Sequence, residues 1–173
     1  GGSTDIALIQ KRGITGVKMM AMGGRAFTKG LAAHFKKTLR DAEQMKLDFA
    51  DGIGVSEAKA VIDNDIQIWL DALLIALNDL KKGQPLPPHI AICGGGSGLP
   101  GIIEALRSEK VINSGLFKHA PEVTLLEPKH IYGIEDPKEF LIGPQDVTPK
   151  SIAYQASLYQ NQTKRMIGGA SIG

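Results

Sequence analysis

The stretch His89-Ile-Ala-Ile-Cys-Gly-Gly-Gly-Ser-Gly-Leu-Pro-Gly-Ile-Ile-Glu-Ala-Leu106 decides the fold, because it predicts a strand, a glycine loop and a helix in succession. Residues 90–93 are a short apolar run, and residues 94–98 cannot hold regular structure. Helical spacing resumes at residues 101–107, and Pro100 suits a first helical turn. A glycine loop that enters a helix presents main-chain N–H groups and the positive end of the helix dipole. We therefore expect a phosphate-bearing ligand here, with a plain tight turn as the alternative.

Length and composition fit one domain, or one domain with a small lobe. The chain has 173 residues, of which 43% are hydrophobic and 22% charged, so it can bury a real core. The net charge is +2 and both signs are mixed along the chain, which gives no electrostatic case for a nucleic-acid partner.

The cysteine content and the hydropathy limit which cellular compartment and which chemistry the chain can have. Cys93 is the only cysteine, which excludes an internal disulfide and a cysteine metal cluster. Its place at the end of an apolar strand predicts a buried, inert thiol. The longest apolar stretch, residues 66–80, contains acidic residues and is too short to span a bilayer, and no signal peptide is visible.

Hydrophobic periodicity along the rest of the chain predicts a mixed α/β sheet. Residues 5–10 and 14–22 suggest an antiparallel hairpin or meander, in which residues 14–22 form either one long strand or two short strands that break at Gly16. The later predicted elements are helices at residues 27–47 and 56–82, strands at residues 90–93 and 122–126, and a final helix at residues 150–160. In open sheets of this kind, ligands bind at the carboxyl ends of the strands, where the glycine loop lies.

Two further patterns are candidate ligand contacts. Gly2, Ser3 and Thr4 belong to a glycine–hydroxyl turn at a strand start, whose donors can surround a terminal phosphate; a frayed N-terminus is the alternative. Glu43 and Lys46 lie three residues apart on one helix face, where a solvated surface pair is the ordinary interpretation. The histidines show no metal spacing and no catalytic triad is readable, so we assign no catalytic residue and no metal ligand.

Taken together, these segments resemble, in order and spacing, those of the actin-like ATPase superfamily. Residues 1–7, Gly-Gly-Ser-Thr-Asp-Ile-Ala, are similar to its phosphate-2 loop. Residues 23–28, Gly-Gly-Arg-Ala-Phe-Thr, followed by residues 42–46, Ala-Glu-Gln-Met-Lys, resemble the nucleotide-contacting helix of bacterial members. Residues 92–102 resemble the adenosine motif, and residues 151–159 the final connecting helix. The motifs at residues 23–28 and 42–46 are most similar to those of the cell-division ATPase FtsA and of PilM of type IV pilus assembly.

The resemblance implies a fold and a ligand. Residues 1–160 would form the ribonuclease-H-like second lobe of the actin clamp, a mixed five-stranded sheet with three antiparallel and two parallel strands and helices on both faces. The implied ligand is ATP or ADP with Mg²⁺. The resemblance assigns the β- and γ-phosphates to Gly2, Ser3 and Thr4. It assigns the ribose and adenine edge to Glu43 and Lys46, and the adenosine and α-phosphate to Gly94, Gly95, Gly96 and Ser97.

Departures from the family pattern shape the functional expectation. The family usually inserts a small subdomain between the two long helices, and we expect it to be reduced or missing near residues 48–56. Ala156 stands where the final helix usually has a glycine, and residues 161–173 are expected to be a tail or linker. The first lobe, with its own phosphate loop and metal-associated acid, is not in this sequence. ATP hydrolysis is therefore expected only when that lobe is joined, because phosphoryl transfer needs both loops and Mg²⁺.

The resemblance also implies a cellular role, and two alternatives stay open. An FtsA/PilM-type protein would be cytoplasmic, recruited to the inner membrane face, and would act in cell division or pilus assembly. Its partners would be the first lobe, membrane-machinery proteins or further copies. One alternative is an NAD-binding Rossmann-type unit, since residues 96–101 fit G-x-G-x-x-G and Glu127 ends the next strand. The other is an actin-like scaffold that does not turn over nucleotide.

Overall fold

The computed structural model describes residues 1–11 and 13–168. Its elements are β1 (Thr4–Gln10), β2 (Gly13–Met20), α1 (Gly24–Phe35), α2 (Leu39–Ala50), α3 (Val55–Lys81), β3 (His89–Ile92), α4 (Ile102–Leu106), α5 (Glu109–Ile112), β4 (Glu122–Leu125) and α6 (Val147–Gly168). Short 3-10 turns occur at Gly95–Gly98, Pro128–His130 and Pro144–Asp146. Among the described residues no helix combines the length and apolarity needed to cross a membrane.

Helix α3 is the element against which the others pack. Its 27 residues make it about 40 Å long. One side of this helix is apolar and buried, and α1, α2, β2 and α4 all contact the helix. Its buried residues include Ile62, Ile66, Trp69, Leu70 and Leu73. Trp69 is therefore a core residue.

The predicted helix at residues 27–47 is two helices. Lys36 ends α1 in the left-handed conformation, with φ of 52°. Thr38 then caps α2, because its hydroxyl oxygen accepts the N–H of Asp41 at 3.2 Å. The turn folds α2 back along α1, so that residue 43 lies beside residue 28 and residue 46 beside residue 24. This reversal brings the Glu–Lys pair to the start of α1.

The strands form two small sheets in the described part of the chain. β1 pairs with β2 antiparallel, and β3 pairs with β4 parallel. The expected single sheet of five strands is wrong for these residues, because the four strands pair two by two and no pairing joins the hairpin to β3 and β4. Gly16 pairs with Leu8 within β2, so this segment forms one long strand rather than two short ones. Gly16 instead lets α3 approach, since a methyl group there would lie 2.9 Å from Leu80 Cδ2.

Four details at segment ends differ from or extend the sequence expectations. Cys93 is exposed rather than buried, because β3 ends at Ile92 and leaves the thiol in the following loop. Helix α6 continues to Gly168, beyond the predicted end at residue 160. The last part of the expected tail, residues 169–173, lies outside the described residues. Residues 51–54 are all that separates α2 from α3.

Candidate functional site

Three of the predicted nucleotide-binding segments meet at Gly24, the first residue of α1. The carbonyl of Gly1 accepts the N–H of Arg25 at 3.0 Å. Lys46 Nζ donates to the carbonyl of Gly24 at 3.2 Å. On a third side, a methyl group added to Gly96 would lie 3.9 Å from the Gly24 nitrogen. The N-terminal loop, the Glu–Lys helix and the glycine loop after β3 therefore share one location.

The N-terminal loop approaches α1 through main-chain atoms. Gly23 is buried, and a methyl group there would lie 2.6 Å from the Ser3 carbonyl oxygen and 2.9 Å from its nitrogen. No side chain fits at this position without moving the loop. Gly2 and Ser3 are exposed, and the Ser3 hydroxyl lies 3.5 Å from Asp5 Oδ2. These two residues thus keep accessible donors at the rim of the site.

Thr4 has a different position from its neighbours. Its hydroxyl donates to the carbonyl of Met22 at 2.7 Å and accepts from Trp69 Nε1 at 3.1 Å. Both bonds are made inside the protein, and they tie the start of β1 to the end of the hairpin and to α3. The side chain of Thr4 therefore acts as a structural link, which holds Gly2 and Ser3 in place.

Glu43 and Lys46 are a partly buried pair rather than a solvated one. Lys46 Nζ lies 2.9 Å from both carboxylate oxygens of Glu43, and it also donates to Thr28 Oγ1 at 3.0 Å. The Thr28 hydroxyl in turn bonds to Glu43 Oε2. The Lys46 side chain is 14% exposed, whereas Glu43 is 46% exposed. The ammonium group is thus used within the protein, and the carboxylate is the group that faces outward.

The electrostatics of this pair keep Glu43 ionised. Burial raises the pKa of Glu43, but the hydrogen bonds from Lys46 and Thr28 and the charge of Lys46 outweigh that effect and lower the pKa below its ordinary value. An ionised carboxylate accepts hydrogen bonds only. Glu43 can therefore accept bonds from the hydroxyl groups of a ligand while Lys46 holds it in place.

The glycine loop after β3 closes on itself. Gly94 has φ of 92°, and its N–H donates to the Pro144 carbonyl at 2.9 Å. The buried Ser97 hydroxyl donates to the Gly94 carbonyl at 2.6 Å. Gly95 and Gly96 lie between them without side chains. The loop therefore offers close main-chain approach at these two glycines, and Ser97 maintains its shape.

The start of the helix that follows the loop is capped by a side chain of the chain itself, and the anion site expected there stays a prediction. Helix α4 has five residues, and the Gly101 N–H at its start donates to Glu104 Oε2 at 3.1 Å. The helix thus places its own carboxylate where a phosphate would have to bind.

Sequence reasoning assigned no role to Gly24 or Thr28. Thr28 is 4% exposed, and it joins the N-terminal turn of α1 to the pair on α2. Its place one helical turn after Gly24 was the available signal, since residues four apart share a helix face. No group of three or more His, Cys, Asp or Glu side chains suited to a metal ion occurs in the described residues.

A mixed α/β fold with glycine segments gathered around a Glu–Lys helix defines a member of the actin-like ATPase superfamily, which confirms the resemblance read from the sequence. The family model described as cell division protein FtsA matches residues 1–145. That range is most of the chain, and the chain belongs to the FtsA family. No curated protein matches the sequence.

Solved structures give the same picture of the fold. The ethanolamine utilization protein EutJ from Carboxydothermus hydrogenoformans is 24% identical, with a TM-score of 0.58, and the match covers 89% of this chain and 46% of that chain. The PilM-PilN type IV pilus biogenesis complex contains a chain that is 20% identical, with a TM-score of 0.56 and coverages of 86% and 41%. The present chain spans less than half the length of these two structures.

Proposed function

We propose that this chain is the nucleotide-binding second lobe of an actin-like ATPase of the FtsA/PilM type, and that it binds ATP or ADP. The meeting of three segments at Gly24 carries the proposal. Gly1, Lys46 and Gly96 come from regions far apart in sequence, and each approaches this residue closely. The ribonuclease-H-like lobe would comprise residues 1–160, with the inserted subdomain reduced or missing near residues 48–56 and residues 161–173 as a tail or linker.

Different residues of the site contact different parts of the ligand. The outward carboxylate of Glu43 accepts the ribose hydroxyls, and Lys46 orients that carboxylate from behind. The main chain of Gly95 and Gly96 lies against the adenosine and α-phosphate, where any side chain would stand in the way. Gly94 and Ser97 set the shape of this loop.

The N-terminal loop contacts the terminal phosphates. Gly2 and Ser3 supply exposed main-chain and hydroxyl donors toward the β- and γ-phosphates. Thr4 fixes the base of the loop through its two internal bonds rather than through its hydroxyl. Mg²⁺ would arrive with the phosphates, since the described residues supply no carboxylate cluster of their own. The ion neutralises phosphate charge, and hydrolysis requires the first lobe to complete the charge neutralisation.

Membership of the family supports a proposal for where this lobe acts in the cell. We place the protein in the cytoplasm, at the inner face of the membrane, within a cell-division or pilus-assembly machine. The FtsA family description and the type IV pilus complex among the similar structures support protein partners of this kind, together with the first lobe or further copies. An actin-like scaffold that binds nucleotide without turnover remains within this proposal, because binding and hydrolysis require different parts of the fold.

Calorimetric titration with ATP, ADP and NAD, with and without Mg²⁺, tests the proposal. Replacing Glu43 with Gln removes charged hydrogen bonds to the ribose, and such bonds contribute about 1.5–3 kcal/mol each, so adenine-nucleotide affinity should fall at least about tenfold. Asp48→Asn is the matched control, since it removes one negative charge from the same helix, and the Asp48 carboxylate accepts a hydrogen bond from Gln44 rather than from the residues around Glu43. Its affinity should be unchanged.

Two results would contradict the proposal. A folded Glu43→Gln variant that binds ATP as tightly as the parent chain would remove Glu43 from the site. A preference for NAD over ATP would favour the dinucleotide interpretation. That interpretation is weakened by Glu104, which already occupies the N-terminus of α4, where the pyrophosphate would bind.

A further inference from the structure

One segment of this protein has an excess of positive charge. Residues 25–40, Arg-Ala-Phe-Thr-Lys-Gly-Leu-Ala-Ala-His-Phe-Lys-Lys-Thr-Leu-Arg, contain no Asp or Glu. Their cations are Arg25, Lys29, Lys36, Lys37 and Arg40, which we call the basic stripe. The net charge of the whole chain is only +2, so the remainder of the chain is net acidic.

The fold aligns these cations on the solvent side of α1. At 100° per residue, Arg25 and Lys29 lie about 40° apart on the helix, and the left-handed Lys36 follows the last residue of α1, about 16 Å along the axis from Arg25. Phe27 and Leu31 lie on the opposite side, buried in the core. Beyond the end of α1, Lys37 and Arg40 continue the stripe around the corner into α2.

None of the five side chains has an ion pair or hydrogen bond among the described residues, and all five are exposed. Other lysines are paired: Lys18 with Asp79, Lys59 with Asp63, and Lys110 with Asp71. Between Lys29 and Lys36, Ala33 is exposed and Ala32 is partly buried, and both side chains are small. A second helix can approach closely over such a surface.

We propose that the basic stripe is a docking surface for an acidic helical segment of a partner protein. Glu or Asp at positions i, i+4, i+7 and i+11 of that segment would form an acidic stripe about as long as the distance of about 16 Å between Arg25 and Lys36. A bilayer fits less well, because the apolar side of α1 is buried in the core and cannot insert.

Fluorescence anisotropy with a labelled helical peptide tests the proposal. The peptide is about five turns long and carries Glu at i, i+4, i+7 and i+11 among Ala and Gln, and a scrambled peptide of the same composition is the control. Lys29→Glu, Lys37→Glu and Arg40→Glu together reverse the stripe and spare Arg25, whose main chain borders the nucleotide site. Lys82→Glu with Lys118→Glu is the charge-changing control away from α1.

We expect the patterned peptide to bind more tightly than the scrambled one, and its affinity to fall about tenfold in the triple variant and to weaken as salt is raised. The control variant should bind normally, and nucleotide affinity should be unchanged in all variants. Equal binding of both peptides, or unchanged binding by the triple variant, would refute the stripe as a helix-docking surface. Tighter binding to phosphatidylserine vesicles than to phosphatidylcholine vesicles, with no peptide binding, would replace it with a membrane contact.

Discussion

The contact between α1 and α3 permits a quantitative test at Gly30. A methyl group on Gly30 would lie 2.0 Å from Asp65 Oδ2 and 3.0 Å from its Cγ. That oxygen is buried and has no hydrogen-bond partner among the described residues, so it has little room to move. Elsewhere in a helix interior, Gly→Ala stabilises by about 1 kcal/mol. Here, overpacking at the upper end of its range, about 3 kcal/mol, should outweigh that gain and leave a net loss of about 2 kcal/mol.

A double-mutant cycle separates the two effects. In an Asp65→Ala background the obstruction is gone, so Gly30→Ala should stabilise by about 1 kcal/mol, which gives a coupling energy of about 3 kcal/mol between the two positions. Urea unfolding followed by the emission of Trp69, the only tryptophan, measures all four proteins. Ala33→Gly, on the exposed side of α1, calibrates the helix-propensity term in this helix.

The outcome bears on the site as well as on stability. Helix α1 carries Gly24 and Thr28, and its packing on α3 sets where they lie. If Gly30→Ala stabilised the chain equally with and without Asp65, the two residues would not be in contact. The position of α1, and with it the convergence at Gly24, would then be wrong.

Three further perturbations follow from single contacts. Burial raises the pKa of Asp65, so the charged carboxylate lowers the free energy of unfolding at pH values above that raised pKa. In urea unfolding, Asp65→Asn should therefore stabilise the chain at neutral pH. The gain should vanish as the pH falls below the ordinary Asp pKa. Thr4→Val removes two internal hydrogen bonds and should cost about 1–3 kcal/mol, with a red shift of Trp69 emission as its indole N–H finds water; unchanged emission would contradict this. Lys46→Met should raise the pKa of Glu43, which carboxyl NMR titration measures. The variant should also lose stability, and the loss should be greatest at neutral pH and shrink in acid. The reason is that a carboxylate with a lowered pKa stabilises the fold only above its unfolded pKa.

Several features of the fold could be predicted because they depend on local pattern. The 3.6-residue repeat of Ile62, Ile66, Trp69 and Leu73 predicts a buried helix face, and these residues form the centre of the core. The strand–glycine–helix order around Gly94 to Gly98 also fixes the loop after β3. Such features require only neighbouring residues, so the sequence contains the information for them.

Other features were missed because two local signals compete. An apolar stripe at four- and three-residue steps favours one helix through residues 27–47. The helix nevertheless ends at Lys36, which is left-handed, and a new helix begins after Thr38, whose side chain accepts the N–H of Asp41. This short-range capping divides the segment into two helices. At Gly16 the sequence left one long strand and two short strands open. Cross-strand pairing with Leu8 and the close approach of Leu80 keep Gly16 within the single strand β2.

The sequence by itself determined the family, the order of the segments and the candidate residues, because motif spacing is a property of the chain. Only the tertiary structure decided what each candidate does. The bond between Thr28 and Glu43 spans 15 residues and depends on α2 folding back along α1. The hydroxyl of Thr4 is used by Trp69, which is 65 residues away. Which donors face a ligand and which face the protein depends on packing between distant segments, and no local pattern records it.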